Sequence, residues 1–274
     1  PSITSATDVN SLNLTDQVYI IDIRSATDFA TGYIENAVNV AATDVLNHIE
    51  SNDLSGYEKI VVVCYTGQTA GWATMLCRLM GHDNVFSMKW GMCSWHADFA
   101  NKWQNSIGNT YVTQFTADPT EKNAPGNMPT LSTGKTSGME ILESRMAAVF
   151  AEGFDPAKVS AQAVFDNLND YYIVNYWPAP QYADPGHIPG AIQYTPKESL
   201  KMAADLKTLP TDKPVAVYCY TGQTSAFLAA YLRILGYDAK SILFGANGMI
   251  YDNMVDAEMT TFNDEQIMGY DYVQ

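Results

Sequence analysis

Two cysteines stand where a cysteine can serve as a nucleophile. Cys64 opens the run Cys64-Tyr65-Thr66-Gly67-Gln68-Thr69, and Cys219 opens the same six residues again, Cys219-Tyr220-Thr221-Gly222-Gln223-Thr224. The attacking form of a cysteine is the thiolate, so the surroundings must favour negative charge. Before each copy lies a short apolar run of strand character, Ile60 to Val63 and Val215 to Tyr218. After each copy the spacing predicts a helix. Its apolar face carries Trp72, Met75, Leu76, Leu79 and Met80 in the first repeat and Phe227, Leu228, Tyr231, Leu232 and Leu235 in the second, with stops at Gly81 and Gly236. A loop curling into a helix start aims backbone N–H groups inward, and the helix dipole adds partial positive charge there. We therefore expect a depressed thiol pKa at both cysteines. Tyr65, Thr66, Gly67, Gln68 and Thr69, with Tyr220, Thr221, Gly222, Gln223 and Thr224, are the candidate sulfur-binding residues, Thr69 and Thr224 also offering hydroxyls. A buried cysteine is often only a small apolar side chain, but repetition of the whole hexapeptide favours two nucleophiles.

The elements that must carry these loops alternate. Val18 to Asp22 reads as a buried parallel strand with an acidic C-terminal edge, Ala37 to Val40 as a short strand, 43 to 51 as a helix and Asn84 to Met88 as a last strand. Tyr171 to Val174 repeats the first of these, and Val159-Ser160-Ala161 repeats the opening Ile3-Thr4-Ser5. Strands alternating with helices predict an α/β fold of two tandem domains, each a mainly parallel sheet flanked by helices. We expect domain one over 1–104, a linker rich in Asn, Thr, Gly and Pro over 105–138 with a piece at 110–115 that is strand-like or packs across both domains, and domain two over 139–274 opening with a helix at 139–152.

These residues resemble the rhodanese-like sulfurtransferases in their tandem, two-domain form, and the resemblance covers most of the chain. In that family a six-residue loop opening with cysteine takes a sulfane sulfur from a donor such as thiosulfate, holds it as a persulfide and passes it to a thiophilic acceptor. Asp22-Ile23-Arg24 matches the family's Asp-x-Arg strand end, and Gly186-His187-Ile188-Pro189-Gly190-Ala191 matches its Gly-His-Ile-Pro-Gly-Ala stretch. Each repeat departs once: the first reads Gly32-Tyr33-Ile34-Glu35-Asn36-Ala37, and the second has Asn175 and Trp177 in place of Asp and Arg. The resemblance implies catalytic Cys64 and Cys219, and His187 as a supporting group. It implies a small anionic sulfur donor and a thiol or cyanide acceptor as partners, and no cofactor. A carrier or binding module that holds persulfide without turnover is the alternative reading. Asp22 and Arg24 read as an ion pair propping the first loop. Lys89, Trp90, Trp95 and His96 follow the last strand of the first repeat, where they wall a pocket or simply pack. Aligning Lys89-Trp90-Gly91 with Phe244-Gly245-Ala246 predicts a closed, cationic first site and an open second one.

Composition excludes other classes. Among 274 residues, 15 Lys and Arg face 30 Asp and Glu, a net charge of -15 that argues against nucleic acid and anionic membranes. No stretch approaches the roughly 18 apolar residues of a membrane helix. Cys77 and Cys93 complete four cysteines without a close-spaced disulfide framework, and Cys93 with His96 lacks a second pair for zinc. We expect neither disulfide nor metal, and His48, His82 and His187 as surface or hydrogen-bonded groups. Phosphatase chemistry needs an arginine in the loop to clamp phosphoryl oxygens, and neither hexapeptide has one. The chain starts at Pro1, from which we expect a removed export signal and a periplasmic location, a reducing cytoplasm being the alternative.

Overall fold

The computed structural model describes residues 2–274 and divides them into two units. In the first, strands β1 (Ile3–Thr4), β2 (Val18–Asp22), β3 (Val38–Asn39), β4 (Lys59–Val63) and β5 (Val85–Met88) form one parallel sheet in the order β1-β5-β4-β2-β3. Helices α1 (Ala6–Asn13), α2 (Ala26–Ala30), α3 (Val45–Glu50), α4 (Gln68–Leu79) and α5 (Asn101–Gln104) connect and flank it. A long helix, α6 (Gly138–Glu152), follows. The second unit repeats the plan with β6 (Lys158–Val159), β7 (Tyr172–Asn175), β8 (Ile192–Gln193), β9 (Val215–Tyr218) and β10 (Ala239–Ile242), in the order β6-β10-β9-β7-β8, and helices α7 (Ala161–Asp166), α8 (Ala179–Ala183), α9 (Gln223–Ile234) and α10 (Tyr251–Asp256). Both sheets are wholly parallel, as the alternation of strands and helices predicts.

Each central strand is apolar for a physical reason. β4 lies between β2 and β5, with Val61 opposite both Ile20 and Phe86, and helices cover its two faces, so Ile60 to Val63 are all buried. Burying each such side chain stabilises by about 1.5–3 kcal/mol. Ser5 and Ser160 each accept a hydrogen bond from the first turn of the helix they cap, which is why the two repeats open with similar sequence.

Three expectations change. The helix after each loop buries only part of the expected face: α4 buries Trp72 and Leu76 of it together with Ala70, Ala73 and Cys77, while Met75, Leu79 and Met80 are half-buried, and α9 buries Leu232 of it together with Ala226, Ala229, Ala230 and Ile234, while Phe227, Leu228, Tyr231 and Leu235 are half-buried. Small side chains among the buried large ones let the helix lie close on the sheet. The 110–115 segment is not a strand but carries a 3₁₀ turn, Val112–Gln114. Tyr111 drives its packing by stacking on Phe165 at 3.9 Å and donating its backbone N–H to Met249 at 3.1 Å. Finally, residues 107–145 group with the second unit, whereas 146–154 and the tail 262–274 group with the first, unlike the linear division 1–104, 105–138 and 139–274. Arg145 donates to the Ile234 and Arg233 carbonyls at 3.2 and 2.6 Å, satisfying the C-terminal end of α9, while Phe150 packs edge-on against Trp72 at 5.5 Å.

Candidate active site

Each loop cysteine sits at the C-terminal end of the central strand of its sheet, the edge where parallel α/β sheets place their ligands. Gly67 and Gly222 cap α4 and α9 with left-handed φ of 84° and 78°, which lets the loop turn back over the sulfur. Cys64 Sγ accepts from the Gly67 and Ala70 amides at 3.2 and 3.4 Å. Cys219 Sγ accepts from the Ser225 amide at 3.3 Å and meets the Ser225 hydroxyl at 3.7 Å. Both sulfurs are nearly enclosed, at 6% and 3% residue exposure. That burial corrects the expectation of a depressed pKa at Cys64. Desolvation pushes its thiol up, the amides of Ala70, Thr66 and Gly67 oppose the shift, and the charge of Asp22 adds to it.

The other loop residues hold the cradle in place. The Thr66 carbonyl accepts from the Trp103 indole at 3.1 Å, the Thr66 hydroxyl from the Gln68 amide at 3.1 Å, and the Thr221 hydroxyl from the Gln223 backbone at 3.2 Å. Tyr65 donates to Asp28 at 3.1 Å, and Tyr220 donates to Gln181. Among the described residues, neither Thr69 nor Thr224 sends its hydroxyl to the sulfur; the hydroxyl that reaches one belongs to Ser225.

Under the first loop, Asp22 and Arg24 form a buried pair with Nη2 to Oδ2 at 2.6 Å. The guanidinium also donates to the Gly32 carbonyl at 2.7 Å and lies 5.1 Å from the Tyr65 ring. In the second unit, Asn175 donates to Tyr218 at 2.8 Å and Trp177 stacks on Tyr220 at 5.6 Å, so an aromatic plane replaces the cation beneath the loop tyrosine. His187 is buried between the Tyr182 and Asp118 carbonyls, at 2.8 and 3.0 Å, and stacks on Tyr182 at 3.6 Å. It holds the chain around Thr116, with which it forms an antiparallel bridge.

The segment after the last strand shifts by one position from the expected alignment. Met92 and Cys93 donate their amides to the Cys64 and Tyr65 carbonyls at 2.8 and 3.1 Å, and Ala246 and Asn247 do the same to Cys219 and Tyr220 at 3.0 and 3.1 Å. Trp90 therefore corresponds to Phe244 and Gly91 to Gly245, and Lys89 has Leu243, not Phe244, as its counterpart. The predicted contrast of a closed and an open pocket came from that slipped register. Lys89 is half-buried over the Trp90 ring at 5.1 Å, and desolvation lowers its pKa. Trp90 and Trp95 are packing groups held by the C-terminal tail. Trp90 donates to Gln266 at 2.9 Å and meets Phe262 at 5.4 Å, and Trp95 donates to the Asp271 carbonyl at 2.8 Å. His96 caps the turn at Asp98. A second cation beside Arg24 does lie at the first loop: Lys102, with Nζ 3.8 Å from the Tyr65 ring centroid. Its place on a helix beyond Trp90 gave no sequence signal. No group of His, Cys, Asp and Glu suited to a metal occurs among the described residues.

All four cysteines are free and buried, and desolvation raises the thiols of Cys77 and Cys93 to about 12. Freshly purified, unreduced, denatured protein is expected to give four titratable thiols. In the folded protein, alkylation of Cys64 should accelerate as pH rises beyond the ordinary thiol range, because a raised pKa leaves the thiol protonated at neutral pH, while Cys77 and Cys93 stay unmodified. A thiol count near zero would replace this picture with a redox pair.

A family profile described as rhodanese-like domain matches residues 5–98 and again 160–249. A thiosulfate sulfurtransferase GlpE of Shewanella oneidensis is 33% identical over 79 residues, covering 29% of this chain and 76% of its own. A second GlpE, of Pseudoalteromonas translucida, is 26% identical over 87 residues, covering 32% and 81%. The human single-domain sulfurtransferase TSTD1 is a solved structure 20% identical to this chain, with a TM-score of 0.28 over 32% of this chain and 88% of that one. The two profile matches take in more than half of the chain, and each contains four of the five strands of one parallel sheet with the cysteine loop at the central strand: the chain belongs to the rhodanese-like domain family and carries that domain twice.

Proposed function

We propose that the chain is a sulfurtransferase that moves sulfane sulfur from thiosulfate, or a donor of similar charge and size, to a thiophilic acceptor through persulfides on Cys64 and Cys219. The Cys thiolate attacks the outer sulfur of thiosulfate. The S–S bond to the sulfonate breaks, and sulfite leaves with the bonding pair. The new terminal sulfur then passes to cyanide or a thiolate, which returns the cysteine thiolate. The single observation that carries this reading is the pair of sulfurs that end a central strand and face the amides of the following helix start, Gly67 and Ala70 at Cys64 and Ser225 at Cys219. Such donors stabilise both the thiolate and an anionic terminal sulfur. A chain of charge -15 repels anionic donors at long range, so capture falls to this local cradle and, at the first loop, to Lys102.

Reduced protein incubated with thiosulfate is expected to gain one sulfur atom per competent loop by intact mass, removable by cyanide. Cys64→Ala and Cys219→Ala should each retain one such site. If neither the parent protein nor either variant gains sulfur, the proposal fails. The burial that holds the Cys64 thiol above its ordinary range favours a second reading for the first loop, a carrier that loads without rapid turnover. Steady-state thiosulfate and cyanide kinetics separate the two: a carrier loads stoichiometrically in Cys219→Ala yet shows no catalytic cycle.

A further inference from the structure

The two hexapeptides are identical, yet the residue that follows them differs: Ala70 after the first and Ser225 after the second. Both occupy the first turn of the helix and point an amide at the sulfur. Only Ser225 adds a hydroxyl, 3.7 Å from Cys219 Sγ and fully buried. Its Oγ lies 2.7 Å from Ser241 Oγ on β10, and both hydroxyls reach the Gly222 carbonyl at 3.1 Å.

This small network satisfies either charge state of the sulfur by rotating hydroxyls. With a thiol, the S–H donates to Ser225 Oγ, Ser225 donates to Ser241 or Gly222, and Ser241 donates to Gly222. With a thiolate, whose proton has left to solvent, the Ser225 O–H turns to the sulfur while Ser241 still donates to Gly222. No buried donor or acceptor is orphaned in either state. The phenols of Tyr176 and Tyr220 lie near Cys219 and are held above their ordinary range by burial, hence neutral, and Asn175 stands where the first unit has the charge of Asp22.

We infer that Ser225, backed by Ser241, is a catalytic residue of the second site, donating a hydrogen bond to the Cys219 thiolate and making this loop the faster-loading of two otherwise identical nucleophiles. The inference rests on the sulfurtransferase reading above only for the identity of the nucleophile. The first unit holds half of the device, since Ser87 occupies on β5 the place of Ser241 and is likewise fully buried.

The test uses the full chain with one loop cysteine at a time, alkylation by iodoacetamide across pH, and peptide mass spectrometry to locate the label. In Cys64→Ala protein, adding Ser225→Ala is expected to move the Cys219 rate profile up by about one pH unit, a tenfold slower reaction below the inflection, with the plateau at high pH unchanged. Because alanine is what the first unit carries at this position, the substitution should fold, which circular dichroism checks. In Cys219→Ala protein, Ala70→Ser should move the Cys64 profile down. An unshifted profile in folded Ser225→Ala protein overturns the inference. If Ser225→Ala does not fold, the Ala70→Ser arm decides, and absence of a downward shift there overturns it equally. Should thiosulfate load neither loop while both shifts occur, the donor assignment fails and the role of Ser225 stands.

Discussion

Replacing Gly91 by alanine is expected to abolish sulfur loading at Cys64, and Gly245→Ala to do the same at Cys219. Both glycines follow the last strand with left-handed φ, 61° and 54°. A Cβ on Gly91 would lie 2.3 Å from the Cys64 carbonyl and 2.6 Å from that of Tyr65, and one on Gly245 would lie 2.4 Å from the Cys219 carbonyl and 2.8 Å from the Gly222 amide. Those neighbours are loop backbone, so neither can swing aside as a side chain could. The left-handed conformation alone costs an alanine about 1–2 kcal/mol. Relief of the clash moves the loop that carries the sulfur and the amides aimed at it, and a displacement near 1 Å in a positioned group costs on the order of a hundredfold in rate. The measurement is persulfide formation in Gly91→Ala/Cys219→Ala and Gly245→Ala/Cys64→Ala protein, each with one loop cysteine left. Loading within a factor of two of the parent single-cysteine protein would show that the loops do not depend on this seat.

Neither glycine stands out in the sequence. The hexapeptides, the strands feeding them and the helices leaving them are legible because each is a local pattern: a buried β-branched run, a glycine at the turn, apolar spacing after it. Gly91 and Gly245 matter only through the backbone they press upon, which belongs to the cysteine loop more than twenty residues earlier in the chain. The slipped alignment of Lys89 with Phe244 has the same origin. The two repeats are offset differently before and after the loop, and the strand pairing of Ser87 and Ser241 with the paired amides of Met92 and Ala246 on the cysteine carbonyls fixes the register. Ser225 is visible in sequence but indistinguishable there from a solvated helix-start serine, because its meaning depends on Ser241 on the next strand. The tail is a further case. Phe262, Tyr270 and Tyr272 are scattered aromatics among acids in sequence, yet they pack on Trp90, Trp95 and Phe99. Small residues shifted part of the inward face of each helix for a related reason, since periodicity weights an alanine less than a methionine although the alanine allows close approach.

Removing Arg24 should destabilise the first domain by about 3–5 kcal/mol, because Arg24→Met leaves the Asp22 carboxylate buried without its counter-charge. The pair is 1% exposed on both sides and joined by three side-chain contacts, Nε to Oδ1 and Oδ2 at 3.0 and 2.9 Å and Nη2 to Oδ2 at 2.6 Å. The second domain shows how the same position is filled without charge: Asn175 bonded to Tyr218, and Trp177 stacked beneath Tyr220. Transplanting that solution, Asp22→Asn with Arg24→Trp and Val63→Tyr, is expected to recover most of the loss, since a well-packed neutral set often equals a buried ion pair once desolvation is counted. Tryptophan fluorescence during urea unfolding is the suitable probe. Of the five tryptophans, Trp72, Trp90, Trp95 and Trp103 lie in the first unit and only Trp177 in the second. A triple variant less stable than Arg24→Met would mean that packing, and not the stranded charge, sets the penalty. The same variant carries a chemical signature. Burial is the main cause that raises the Cys64 thiol, and the Asp22 charge raises it further. Neutralising Asp22 removes the second cause, so alkylation of Cys64 in the triple variant should begin at lower pH than in the parent. That shift separates an electrostatic role of the pair from a purely structural one, because a variant that merely loosened the loop would alter the plateau rate and leave its onset in pH unchanged.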